Sequence, residues 1–152
     1  TQMVPLHMAM VAASIAHGGV MMKPYVIGTI YDHDGGVLQR TVPTVWKTPM
    51  TPQTSSLLTE LMVGVVNEGT AQCCMKLANG IQAAAKTGTA QLNTAGEPER
   101  SHAWIIAFAP AAAPKYVIVV MLKGTNAEIS EGTGGSLAGP VAKKVLDIAL
   151  NQ

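Results

Sequence analysis

Ala83-Ala84-Ala85-Lys86-Thr87-Gly88-Thr89-Ala90-Gln91 is followed by two more segments of strand character, His102 to Ala109 and Tyr116-Val117-Ile118-Val119-Val120-Met121-Leu122. From Ile81 onward the pattern reads as three strands, Ile81 to Gln91, His102 to Ala109 and Tyr116 to Leu122, with short polar connections. A parallel crossover needs a dozen residues or more, so these links predict antiparallel neighbours. The run Tyr116 to Leu122 is apolar on both faces, which predicts a strand inside a sheet covered on both sides.

Upstream and downstream the periods are helical. Pro5 opens a run to Ala16 that is apolar nearly all round, with Gly18 and Gly19 as its stop. Thr51-Pro52 supplies an N-cap and a first-turn proline, and Leu58, Leu61, Met62 and Val65 recur at helical spacing before Gly69. Between these helices, Tyr25 to Tyr31 and Val37 to Val42 predict a hairpin around the polar turn Asp32-His33-Asp34-Gly35-Gly36. Leu137, Val141, Val145 and Ile148 form a stripe on a closing helix, with Pro140 in its first turn. The expected fold is α+β: a single antiparallel sheet with helices on both faces, over residues 1–152.

Composition narrows the function. The 152 residues are 48% hydrophobic but only 12% charged, well below the usual quarter. Such a chain either hides most of its faces or rests against more protein. The net charge of +1 comes with no basic stripe, so no nucleic-acid partner is expected. No stretch has the pattern of a signal peptide. The apolar run Met3 to Met22 is broken by His7, Ser14, His17, Gly18 and Gly19, which predicts a core helix and not a membrane span. Adjacent Cys73 and Cys74 do not have the spacing of a zinc site. They read as two small buried thiols, or as one half of a bridge to a cysteine elsewhere. Asp32, His33 and Asp34 read as turn residues, since three consecutive side chains rarely converge on one metal ion. No metal or organic cofactor is expected.

The chemistry is concentrated around Lys86. A lysine, two hydroxyls and a glycine sit in a strand of otherwise very small side chains. Small neighbours let a ligand backbone approach closely. Thr87 and Thr89, two residues apart, share a face. Such a strand suits an extended peptide that ends in a carboxylate, bound partly by strand addition. An edge strand carrying Lys and Thr for solubility alone is the plainer alternative.

Lys86-Thr87-Gly88 resembles the Lys-Thr-Gly motif of penicillin-binding proteins and serine β-lactamases. The resemblance extends along the chain. Pro5-Leu6-His7-Met8-Ala9-Met10 with Ile15-Ala16-His17-Gly18-Gly19-Val20 is similar to the helix before that motif in class B transpeptidases. Gly69-Thr70-Ala71, His102 to Pro110 and Gly139-Pro140-Val141-Ala142 resemble their later segments, in the same order. Ala85 and Ala107 stand where family members often have glycine, and could narrow the groove slightly.

The resemblance implies a role for each matched residue. Lys86 would organise the proton network around a serine, and the hydroxyls of Thr87 and Thr89 would bind the carboxylate of a stem peptide or β-lactam. Gly88 would keep the strand face open, and the Thr89 N–H would be one of two oxyanion donors. The implied substrates are peptidoglycan stem peptides ending in D-Ala-D-Ala, with β-lactam antibiotics as covalent ligands. The implied location is the extracytoplasmic side of a membrane-anchored parent protein.

The nucleophile is not in this sequence. Family chemistry needs Ser-x-x-Lys and Ser-x-Asn. Three residues beyond Ser14, Ser55, Ser56, Ser101, Ser130 and Ser136 stand His17, Leu58, Thr59, Trp104, Thr133 and Gly139, and none is lysine. No asparagine stands two residues beyond any of them. The order of the motifs predicts that this is the C-terminal portion of a transpeptidase domain, with the serine in an upstream part. Two rival readings fit the same residues. One is a D,D-carboxypeptidase or β-lactamase of the same fold; the other is a noncatalytic sensor that binds β-lactams or peptides. His102 is expected either to line the cleft or to serve the core, and Gly132 to Ser136 to lead into a helix and not to hold a phosphate.

Overall fold

A computed structural model describes residues 3–92 and 100–151. Its elements follow the expected order: α1 (Pro5–Ala16), the short strands β1 (Met21–Met22), β2 (Thr29–Tyr31), β3 (Val37–Arg40) and β4 (Val45–Lys47), then α2 (Pro52–Asn67). After it come β5 (Ala84–Gln91), β6 (Ser101–Ala109), β7 (Tyr116–Leu122), α3 (Ala127–Glu131) and α4 (Gly139–Leu150). The three long strands form one antiparallel sheet in the order β5-β6-β7.

Helices cover both faces of that sheet. On one face Val66 of α2 and Ala142 and Leu146 of α4 pack with Ala85, Ile105 and Ala107. On the other, Ile15 of α1 and Met62 of α2 pack with Ala84 and Phe108. Alanine at so many inward positions lets the helices lie close to the strands. The α+β architecture is therefore as expected.

Local signals hold where capping chemistry drives them. The Thr51 hydroxyl accepts the Thr54 N–H at 3.2 Å, and Pro52 occupies the first turn of α2. Gly18 and Gly19 take φ of 64° and 90°, the left-handed values that stop α1. In the hairpin turn the Asp32 carboxylate accepts the N–H groups of Asp34 and Gly36, so it serves the backbone. Thr133 and Ser136 make a reciprocal capping box ahead of α4, which makes Gly132 to Ser136 a helix lead-in.

Several expectations need correction. β7 is covered by helices on both faces, as expected, but among the described residues β6 is the central strand and β7 lies at an edge of the sheet, with most of its side chains half-buried. The helix α1 is not buried all round, for Leu6 is exposed while Met10, Ala12, Ser14 and Ile15 are covered. Leu61 of α2 is likewise exposed, and Val66 takes the buried place. On α4 the face is reversed. Ala142 and Leu146 meet the sheet, while Val141, Val145 and Ile148 are exposed. Cys73 and Cys74 are joined to each other in a disulfide. Both lie in the turn after α2, where the N–H groups of Cys74 and Met75 both donate to the Ala71 carbonyl. β1 and β4 pair with each other, a contact with no local sequence signal.

The end of α4 is tied back to the core turn. Asp147 accepts from the Lys143 ammonium one turn earlier and from the Ala78 N–H at 2.8 Å. The bond from Lys143, then that from Ala78, holds the Asp147 carboxyl below its ordinary value, against a smaller opposing effect of burial. A carboxyl with a lowered folded pKa adds stability above its unfolded value, near ~3.9, and loses it as pH falls through the folded value. Asp147→Asn is thus expected to lower stability at pH 7 by roughly 0.3–0.5 kcal/mol, as for an i,i+4 pair. The difference should shrink as pH falls through the folded value. Urea midpoints of both forms at pH 7 and pH 3 test this; an equal difference at both would count against it.

Candidate active site

The edge of β5 is defined by the phase of its backbone. The Leu92 N–H donates to the Arg100 carbonyl at 2.8 Å, two pairs beyond Ala90 and His102 in register. In an antiparallel ladder hydrogen-bonded pairs alternate with pairs that do not bond each other. Ala90, Gly88 and Lys86 therefore bond to β6, opposite His102, Trp104 and Ile106. The backbone N–H and C=O groups of Thr87 and Thr89 fall in the other phase and point away from β6. Among the described residues β5 is an edge strand, so these groups face an open margin.

Side chains sort by the same two-residue period. Lys86, Gly88 and Ala90 stand on the face of Ile106, Trp104 and His102, while Thr87 and Thr89 stand on the face of Ile105 and Ala103. Along the first face lies a cleft of about 540 Å³ whose lining includes Lys86, Gly88, His102, Trp104 and Ile106, with Met8 of α1. Lys86 is exposed but borders this cleft. Its Nζ donates to the Thr87 carbonyl at 2.7 Å, which brings the ammonium round to the strand margin. A Cβ at Gly88 would meet only Trp104 Cβ, at 3.5 Å, so nothing within the described chain demands a glycine there.

The opposite side of β5 is tightly backed. A Cβ on Gly134 would fall 2.0 Å from the Trp104 carbonyl oxygen and 2.6 Å from that of Gly88. One on Gly135 would fall 2.3 Å from the Thr70 carbonyl oxygen. The lead-in to α4 is thus pressed against the middle of β5 and against the turn after α2. From that turn, Thr70 Oγ1 lies 2.6 Å from Thr87 Oγ1. Thr70 was not singled out from sequence as a functional side chain, because Gly69-Thr70-Ala71 reads there only as the end of a helix.

His102 does line the cleft. Its Nδ1 accepts the Gly124 N–H at 3.0 Å, which places the proton of the neutral ring on Nε2. Lys86, Thr87, Gly88 and Thr89 all border this cleft, with the Lys86 side chain on one face of β5, the two threonine side chains on the other, and the outward amides at the margin between them. No group of three or more His, Cys, Asp and Glu side chains suited to a metal ion occurs among the described residues.

The sequence profile described as "Penicillin binding protein transpeptidase domain" matches residues 1–147. The chain belongs to the penicillin-binding protein transpeptidase domain family. It is similar to the peptidoglycan D,D-transpeptidase PbpA of Mycobacterium tuberculosis, with 40% identity over 146 residues. That match covers 96% of this chain and 29% of the relative. The D,D-transpeptidase MrdA of Haemophilus influenzae is 32% identical over 97% of the chain and 24% of its own length. Among solved structures, penicillin-binding protein A from M. tuberculosis, as a ceftriaxone acyl-enzyme, superposes with a TM-score of 0.84 at 38% identity. It is covered over 96% of this chain and 32% of its own. The chain spans less than a third of the length of these relatives.

Proposed function

We propose that this segment is the substrate-binding half of a serine D,D-transpeptidase that cross-links peptidoglycan stem peptides, the serine being supplied by an upstream part of the same protein. The observation that carries the reading is the outward phase of Thr89 on an edge strand that also presents Lys86. An extended peptide ending in D-Ala-D-Ala would lie along β5, its terminal carboxylate on the Thr87 and Thr89 hydroxyls. The serine hydroxyl would attack the penultimate D-Ala carbonyl, forming an acyl-serine and releasing the terminal D-Ala. The charge on that carbonyl oxygen would be met by the Thr89 N–H and by the N–H of the serine itself. Lys86 would supply the positive potential that helps the serine lose its proton. An acceptor amine would then take the acyl group. A β-lactam would enter by the same acylation and remain bound.

The upstream part would also meet the apolar surface that this segment leaves bare. β7 has an unpaired margin among the described residues, and Val141, Val145 and Ile148 present an exposed stripe on α4. Exposed apolar area of this kind marks a protein contact. The proposed setting is the extracytoplasmic side of the membrane. No helix among the described residues is long and apolar enough to cross one.

A fluorescent penicillin tests the division of labour. The isolated chain should take up no covalent label, and the longer protein should be labelled on a serine outside residues 1–152. Stable labelling of the isolated chain would refute the scheme. Release of D-Ala from a D-Ala-D-Ala peptide, with and without an acceptor amine, separates transpeptidation from carboxypeptidase action. A longer protein that binds penicillin without acylation would be the sensor.

A further inference from the structure

We propose that Thr70 is a positioning residue for substrate-carboxylate recognition, acting through the hydroxyl of Thr87. The inference rests on the reading of β5 as the substrate strand. Its basis is the 2.6 Å contact between the two hydroxyl oxygens, which join segments 17 residues apart.

A threonine hydroxyl has one proton to give and can accept others. If Thr87 donates its proton to a carboxylate, the proton shared with Thr70 must come from Thr70. The direction is then Thr70 O–H to Thr87 Oγ1, and Thr87 O–H to the substrate. Donation into Thr87 polarises its own O–H, so the bond to the anion gains strength along the chain. It also fixes which way the Thr87 proton points. Without Thr70 the hydroxyl would rotate among water-facing positions before each binding event.

The support behind Thr70 is rigid enough for this role. Its turn is held by the Ala71 N–H on the Val65 carbonyl at 3.1 Å and the Gln72 N–H on the Gly69 carbonyl at 3.0 Å. Ala71 is fully buried beneath it. Gly135 packs against the Thr70 carbonyl from the other side, leaving no room for a Cβ. The Gly135 carbonyl in turn lies 2.8 Å from the buried Cys74 Sγ. The Thr70 backbone is clamped between α2 and the lead-in to α4, and its side chain reaches β5.

The test uses the longer protein and measures acylation by penicillin G and by its methyl ester, in which the carboxylate is masked. Thr70→Val removes the hydroxyl at nearly constant volume and should slow penicillin G by about tenfold. It should leave the ester rate, however slow, within about twofold. Thr70→Ser keeps the hydroxyl and should restore the penicillin G rate. Thr87→Val should slow penicillin G at least as much, and the double variant should be no slower than Thr87→Val alone. Equal slowing of acid and ester, or additive effects of the two valines, would show a merely structural part for Thr70 and overturn the inference. An unchanged penicillin G rate in Thr70→Val would do the same. A wild-type protein that penicillin does not acylate would remove the transpeptidase reading and this inference together.

Discussion

Lys86→Met in the longer protein is expected to slow acylation by penicillin by ~10²–10⁴-fold, the usual range for loss of a group that governs proton transfer. Methionine keeps the length and apolar stem of lysine while removing the ammonium. The side chain is exposed and its one described hydrogen bond is to the neighbouring Thr87 carbonyl. Folding stability should therefore change by no more than about 0.5 kcal/mol. A large kinetic loss with an unchanged urea midpoint would separate chemistry from structure. Lys86→Arg should recover only part of the rate, because the planar guanidinium does not place its charge where a compact ammonium does. Acylation of the methionine variant within threefold of wild type would sink the assignment of Lys86.

Thr89→Pro should cost ~10²–10³ in acylation, the size of effect seen when one oxyanion donor is lost. The substitution is informative because of backbone phase. The Thr89 amide points away from β6, so proline there removes no ladder bond, and edge strands accept proline where the N–H faces outward. Ala90→Pro would instead delete a bond to β6 and should destabilise the sheet. Two controls bracket the result. Thr89→Ala keeps the N–H and loses only the hydroxyl, so its effect should be much the smaller. Gln91→Pro removes an amide of the same phase one step further along, with a similar constraint on the chain. If Gln91→Pro and Thr89→Pro slow acylation equally, the effect is general distortion of β5, and the donor assignment falls.

How much of this was legible without coordinates depended on the range of the interactions involved. The helix start at Thr51 and the stop at Gly18-Gly19 are decided within a few residues, and both stand where the sequence puts them. The three strands were readable from the change of pattern after Ile81 and from their short polar connections. Their neighbours were not. A continuous apolar run such as Tyr116 to Leu122 reads as a strand inside a sheet, yet among the described residues β6 is the central one, with Ala103, Ile105, Ala107 and Phe108 fully buried. The stripe on α4 misled for a related reason. Hydrophobicity alone favours Val141 and Val145, while close packing on a sheet favours Ala142. Lys86, Thr87, Gly88 and Thr89 announced themselves by composition. Thr70 did not, because its partner Thr87 lies across the fold and no periodicity connects them.

The alternation along β5 has an evolutionary corollary. Under the proposed function, a substitution in this strand removes one contribution at a time and leaves the phase of the backbone unchanged. A change of length does not. Insertion of one residue between Ala85 and Thr89 would leave every motif letter legible, yet it would rotate the Thr89 amide inward against β6 and present the Gly88 or Ala90 amide in its place. Lineages under antibiotic pressure are therefore expected to explore substitutions in this strand and to confine insertions and deletions to the connections around it.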